Sequence, residues 1–200
     1  MIDTFINTAI LPKIRQISWL ADNSHGLVRP ATRTDETGKT ITFPVACDFT
    51  SVEGGIQKMI APDSDLTAFS FFENLTGRFR EDDRNDLYMV SHSFRYLAWL
   101  NLANMGVQGC SLPLEAYFQI INTLEQKQKT VNYQIESLVT SVNTSDHRIA
   151  YGRYSFSEQE RLFFYPYCFL QLDVVATIKH QKRCPVVFTP GVKIECAEIL

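Results

Sequence analysis

A change of hydrophobic period along the chain limits its fold more than any other feature. Between Leu170 and Ile178, the apolar residues Leu170, Leu172, Val174, Ala176 and Ile178 alternate with Gln171, Asp173, Val175 and Thr177. That two-residue repeat belongs to a strand with one face on a core. Between Thr4 and Leu20, by contrast, Ile6, Ile10, Ile14, Ile17 and Leu20 recur every three or four residues, the repeat of a helix with one apolar face. Helical spacing at one end and strand alternation at the other predict an α+β fold. Pro12 lies inside the predicted helix, so it kinks or divides it, or marks the first turn of a second helix starting near Leu11.

The stretch GLVRPATRTDETGKTITFPVACDF reads as extended chain around a turn at Asp35 to Lys39, with Gly38 free to take positive φ. A projecting hairpin over residues 27–47 follows, and Pro44 in its return arm implies an edge position or a break. Residues 51–60 read as loop or short strand. The run 66–77, preceded by Asp63 and Asp65 as start signals, predicts a short aromatic-rich helix ending near Gly77. Leu87, Val90, Phe94, Leu97, Leu100 and Leu102 or Met105 predict a helix over 87–105, stopped by Gly106.

Ser111 as cap, Pro113 and Glu115 then open a further helix with Leu114, Tyr117, Phe118, Ile121 and Leu124 on its apolar face. Val131, Ile135, Leu138 and Val142 continue that spacing, so 112–142 reads as one helix or two. Residues 147–156 alternate like a strand, and CPVVFTPG at 184–191 and VKIECAEIL at 192–200 read as two more. The expected architecture is an N-terminal helix, an extended hairpin, and central helices packed on a C-terminal, mainly antiparallel sheet. Two hundred residues without repeat or linker suit one domain over 1–200. The charged run RFREDDRND at 78–86 reads as a flexible boundary or a solvated turn.

Nineteen Lys and Arg against twenty-two Asp and Glu give a net charge of -3, so nothing global favours a nucleic-acid backbone or an anionic membrane. The N-terminal pattern is not that of a signal peptide, and the apolar stretch 162–178 carries Gln171 and Asp173, so no membrane span is expected. The five cysteines, at 47, 110, 168, 184 and 196, are odd in number and widely spaced. They form neither a disulfide framework nor a zinc ribbon, and a reducing compartment fits them.

Motifs for chemistry are sparse. His25, His92, His147 and His180 show no metal-ligand spacing, and no cofactor or metal is expected. GKT at 38–40 lacks the leading glycine of a phosphate-binding loop, since position 33 is Arg33. Glu81, Asp82, Asp83 and Asp86 are interspersed with arginines and read as a solvated flank. A dispersed catalytic site would need Cys110 or Cys184 to meet His92 or His180.

Two surface features stand out. Lys179, His180, Lys182 and Arg183, together with Arg29 and Arg33 on the hairpin, would make a local positive surface that could line a channel or meet a nucleic-acid backbone. The aromatic series Phe163, Phe164, Tyr165, Tyr167 and Phe169 cannot all face one side of a strand, which divides it between core and subunit interface.

In its order of elements the chain resembles the small head-to-tail connector, neck and tail-completion proteins of tailed bacteriophages. GLVRPATRTDETGKTITFPVA corresponds to their projecting hairpin and FLQLDVVATIKH to a central strand. The resemblance implies a non-enzymatic virion subunit in a homo-oligomeric ring, located in the virion or host cytoplasm. Its hairpin, with Arg33, Asp35 and Lys39, would reach neighbouring assembly proteins, and the basic residues would face DNA in a channel. The alternatives are an adaptor or peptide-binding module using a sheet edge, and an enzyme with the dispersed Cys/His site.

Overall fold

The computed structural model describes residues 2–34, 38–47, 52–53, 56–57, 59–82, 87–109, 112–129, 133–155 and 162–181. The chain opens with a helical stretch in three parts, α1 (Ile2–Phe5), a π-helical turn (Ile6–Ile10) and α2 (Leu11–Ile14). Pro12 occupies the first turn of α2, where its missing N–H removes no helical bond. Ile6, Ile10, Ile14, Ile17 and Leu20 are all buried, but the helix expected over 4–20 stops at Ile14, and Ile17 and Leu20 reach the core from turns closed by the Ile17 and Leu20 N–H groups donating to the Ile14 and Ile17 carbonyls.

Strands β1 (Ser24–Thr34) and β2 (Thr40–Ala46) form the expected antiparallel hairpin, with Gly38 at φ 82° near its tip. Pro44 lies on β2, an edge strand of the main sheet, as expected of a residue with no N–H to give. Two-residue strands β3 (Val52–Glu53) and β4 (Ile56–Gln57) pair with each other apart from that sheet. Strands β5 (Ala68–Asp82) and β6 (Leu87–Asn101) follow, then α3 (Leu114–Leu124), β7 (Lys127–Lys129), β8 (Tyr133–Asn143), α4 (His147–Tyr151) and β9 (Tyr167–Gln181). The seven-stranded sheet has the order β2-β1-β5-β6-β9-β8-β7. Its β1–β5 pairing is parallel and its other pairings antiparallel. The protein is therefore α+β with a mainly antiparallel sheet.

The central helices of the sequence reading are corrected. Residues 87–105 are mostly β6, because this strand is buried on both faces. Phe94, Tyr96, Leu97, Ala98, Trp99 and Leu100 are all fully buried, which erases the alternation that marks a half-buried strand. Within 66–77, the residues from Ala68 onward belong to β5 for the same reason, with Phe69 and Phe71 on one face and Ala68 and Phe72 on the other. Asp63 accepts from the Asp65 N–H at 3.0 Å and so closes a turn instead of capping a helix. Gly106 does take φ 70°, but it ends a turn after β6.

Only 114–124 of the stretch 112–142 is helical. The spacing of Ile135, Leu138 and Val142 does not mark one face: Leu138 points away from Ile135, and a bulge at Thr140, which shifts the register with β9 between Val139 and Ser141, returns Val142 to the side of Ile135. Ile135 and Ser137 are buried on that side, Val139 packs partly against the core, and Val142 at the strand's end is exposed. Residues 147–151 form a helical turn, not a strand, because the Asp146 carboxylate accepts from the Arg148 N–H at 2.9 Å. Of the run 78–86, residues 78–82 belong to β5, whose Asp82 pairs with Leu87, and residues 83–86 lie outside the described residues. The strands expected at 184–191 and 192–200 lie outside the described residues.

Each face of the sheet carries its own core. The N-terminal helical stretch and α3 cover a cluster that includes Leu27, Phe72, Phe94, Tyr96, Leu172 and Val174. The opposite face carries Phe69, Phe71, Leu97, Trp99 and Phe169 under Tyr151, Tyr154, Leu162 and Phe163. Replacing Leu172→Ala on the first face and Leu97→Ala on the second is expected to cost about 2–5 kcal/mol each. Urea denaturation of the two single variants checks this.

Candidate interaction surface

The aromatic series lies at the end of the sheet where β9 begins, and the structure splits it. Phe163 stacks on His147 at 5.0 Å between ring centroids and also packs against Tyr151. Phe169 is buried, and Tyr167 stacks on Trp99 at 5.2 Å. Phe164 and Tyr165, by contrast, are 60% and 67% exposed. They precede a cis Tyr165–Pro166 peptide, and the Phe164 and Pro166 carbonyls accept from the Tyr167 and Leu102 N–H groups. The segment is thus held to the end of the sheet while two of its rings point outward.

At the same end β9 outruns β8. Their pairing stops at Asn143 opposite Gln171, so among the described residues Tyr167–Leu170 is paired only with β6, on its inner side. Asn143 turns the chain off the sheet, its Oδ1 accepting from the Asp146 N–H at 3.1 Å and its Nδ2 donating to the Asp146 carbonyl at 3.0 Å. A cleft of about 330 Å³ opens beside the bare edge. Leu112, Leu114 and Tyr117 form one wall, Val142 and Thr144 at the end of β8 a second, and Cys168 and Phe169 the floor. Among the described residues, no charged side chain lines it. Burial pushes the Cys168 thiol from 9.0 up to about 12.

The predicted apolar face of α3 is also redistributed. Ile120 and Leu124 are buried in the core, whereas Leu114 is 63% and Phe118 49% exposed. His147 joins the cleft to the outward rings, its centroid 6.4 Å from Phe169 and 5.6 Å from Phe164. The sequence reading places Leu114, Phe118 and Val142 in a core. Only the end of β8 and the packing angle of α3 reveal them as surface.

The basic residues do not converge. Arg29 follows Val28 on β1 and shares the face of Leu27, whereas Lys179 lies on the opposite face of β9 from Ile178. Two strands, β5 and β6, separate them. Lys182 and Arg183 lie outside the described residues, as do Asp35, Cys110 and Cys184. Arg33 and Lys39 are exposed near the hairpin tip. Burial lowers the pKa of His92, whose ring lies beside Gly77 across the β5–β6 pair. Among the described residues, no three His, Cys, Asp or Glu side chains converge as metal ligands. No described helix is long and apolar enough to cross a membrane.

A polar row missed by the sequence reading crosses the sheet. Glu73 on β5, Arg95 on β6 and Asp173 on β9 occupy one register line. Arg95 Nε lies 2.7 Å from Asp173 Oδ1. Glu73 is buried, takes a hydrogen bond from the Tyr154 hydroxyl, and has Arg153 at 3.5 Å and Arg95 at 3.9 Å. Gln171, with its amide oxygen turned to Arg95, accepts from Nε at 3.1 Å. Burial, then the hydrogen bond to Glu73, pushes the Tyr154 phenol far above its ordinary value. Tyr154 therefore stays a protonated donor, and the row acts as a fixed clamp on the segment after α4.

Comparison with protein-family models finds no match, and comparison with curated proteins finds no significant sequence match.

Two outcomes test this geometry. Tyr154→Phe leaves the buried Glu73 carboxylate without its hydroxyl donor and is expected to cost about 1–3 kcal/mol, measured by urea denaturation. A thiol whose pKa is raised by folding contributes stability below its unfolded value, and that contribution is lost as pH climbs toward the folded one. Stability is thus expected to fall between pH 9 and 12, and Cys168→Ala to remove the part of the fall that begins near pH 9. Denaturation at several alkaline pH values measures both.

Proposed function

We propose that this protein is a structural, non-enzymatic subunit that assembles with copies of itself through the apolar end of its sheet. The observation that carries the reading is a cleft lined by exposed Leu114 and Val142, with exposed Phe118 against Tyr117 of its wall and exposed Phe164 and Tyr165 nearby, Phe164 linked to Phe169 through His147. Keeping such a surface in water costs free energy, and covering it with a partner lowers that cost. Exposed aromatics around a concave centre are also the composition of a protein interface.

The exposed β1–β2 hairpin gives such a subunit a second reach, toward a neighbouring protein, as the resemblance to bacteriophage connector and tail-completion proteins implies. In that setting the assembly is a ring in a virion neck or tail. Arg33 and Lys39 at the hairpin tip would meet the next protein, and Lys179 would be the described residue to test against DNA.

The outer edge of Tyr167–Leu170, unpaired among the described residues, favours a second reading, an adaptor that takes an extended peptide as an added strand. Light scattering across a concentration series separates the two. The structural subunit is expected to climb to a discrete oligomer, and Leu114→Asp to return it toward monomer with its circular dichroism unchanged. A wild-type chain that stays monomeric throughout counts against self-assembly.

A further inference from the structure

We propose that the cleft beside β9 receives Phe164 and Tyr165 of a second copy, two copies exchanging these side chains reciprocally. This rests on the self-association proposed above and names the contact that makes it.

The cleft and the outward rings are complementary in kind. The cleft is apolar, uncharged and open to solvent at about 330 Å³, at the small end of volumes that enclose a ligand and suited to an aromatic side chain. Phe164 and Tyr165 are the most exposed aromatic side chains among the described residues, and the turn that carries them is tied to β6 and β9 by backbone hydrogen bonds. A preorganised knob loses little conformational entropy on docking.

The area is also of the right size. At their fractional exposures, Leu114, Phe118, Val142, Phe164 and Tyr165 together present roughly 500 Å². A stable pair buries about 800 Å² per partner, so these five side chains supply more than half of one side.

Placement decides the symmetry. Phe164 and the cleft floor at Phe169 both border His147, so knob and cleft belong to one continuous surface. A surface that holds both halves of a contact pairs with its own copy about a two-fold axis, so that each cleft takes the other copy's rings. The outward rings do not fill their own chain's cleft, because Phe164 and Tyr165 remain solvent-exposed.

The test uses the full chain and two exposed-site variants, F164S/Y165S, which removes the knob, and V142W, which fills the cleft. Each is expected to weaken self-association roughly tenfold or more in sedimentation equilibrium. An equimolar mixture of the two retains one intact knob-to-cleft contact per pair, and is expected to associate more tightly than either variant alone. Simple unfolding of one variant cannot produce that rescue. Unchanged association in both variants overturns the knob-and-cleft contact while leaving self-assembly standing. Weakening without rescue in the mixture overturns the reciprocal exchange. Absence of association in the wild-type protein overturns the self-assembly reading itself, and this contact with it.

Discussion

Strands β5, β6 and β9, each fifteen residues long, form the centre of the sheet and pack against side chains on both faces, a double burial on which the other elements depend. A sheet apolar on both sides must be covered on both. The N-terminal helical stretch and α3 cover one face along much of its length. On the other, among the described residues, α4 and the Leu162–Phe163 segment cover the end nearest Trp99. Beyond the polar row this second face has Ser91, Ser93, Val175 and Thr177 half-exposed. Small, hydroxylated or β-branched side chains are what a strand carries where no helix lies over it.

The sheet guards its edges unequally. Along β2, Pro44 has no N–H to offer, the Pro44 carbonyl accepts from the Ile60 N–H, and Ser155 meets the Thr42 backbone through both its N–H and its hydroxyl. On the far side, β7 is three residues long with two lysines, a short and charged edge of the kind that discourages further pairing. Ser137 and Val139 on β8 are engaged by Gln126 and Glu125. The start of β9 has no such protection among the described residues, and it lies beside the most exposed apolar side chains.

How much of this was legible in the sequence depends on how many faces each element buries. Residues 170–178 declare themselves a strand because Gln171 and Asp173 alternate with the core residues, and the N-terminal isoleucines declare a helix because only one of its faces is buried. Strand β6 does not, since Leu97 and Trp99 are as buried as Tyr96 and Ala98, and a continuous apolar run fits helical spacing equally well. The bulge at Thr140 hides β8 by inserting one residue into its repeat. The aromatic series 163–169 is visible as a feature. Which of its rings face outward depends on where the chain turns onto β9, and that is set by tertiary contacts from Leu102 and His147. Leu114 and Val142 carry no local sign of exposure at all.

Double burial also removes the usual means of fixing strand register. Where one face is apolar and the other polar, a one-residue slip exposes the core and is rejected. Where both faces are apolar, the slip exchanges one greasy face for another and costs much less. The row of Glu73, Arg95 and Asp173 supplies the missing constraint. A one-residue slip of β6 would set Glu73 opposite Tyr96 or Phe94, and a two-residue slip opposite Leu97 or Ser93, moving Arg95 away from the buried carboxylate and leaving it Arg153 alone. Losing one of its two cations raises the cost of keeping that charge buried. The same row holds Tyr154, and through the neighbouring Ser155 it steadies the edge of β2. One polar line thus sets the alignment of the three central strands and fastens the segment that closes the opposite edge, leaving the start of β9 as the open side.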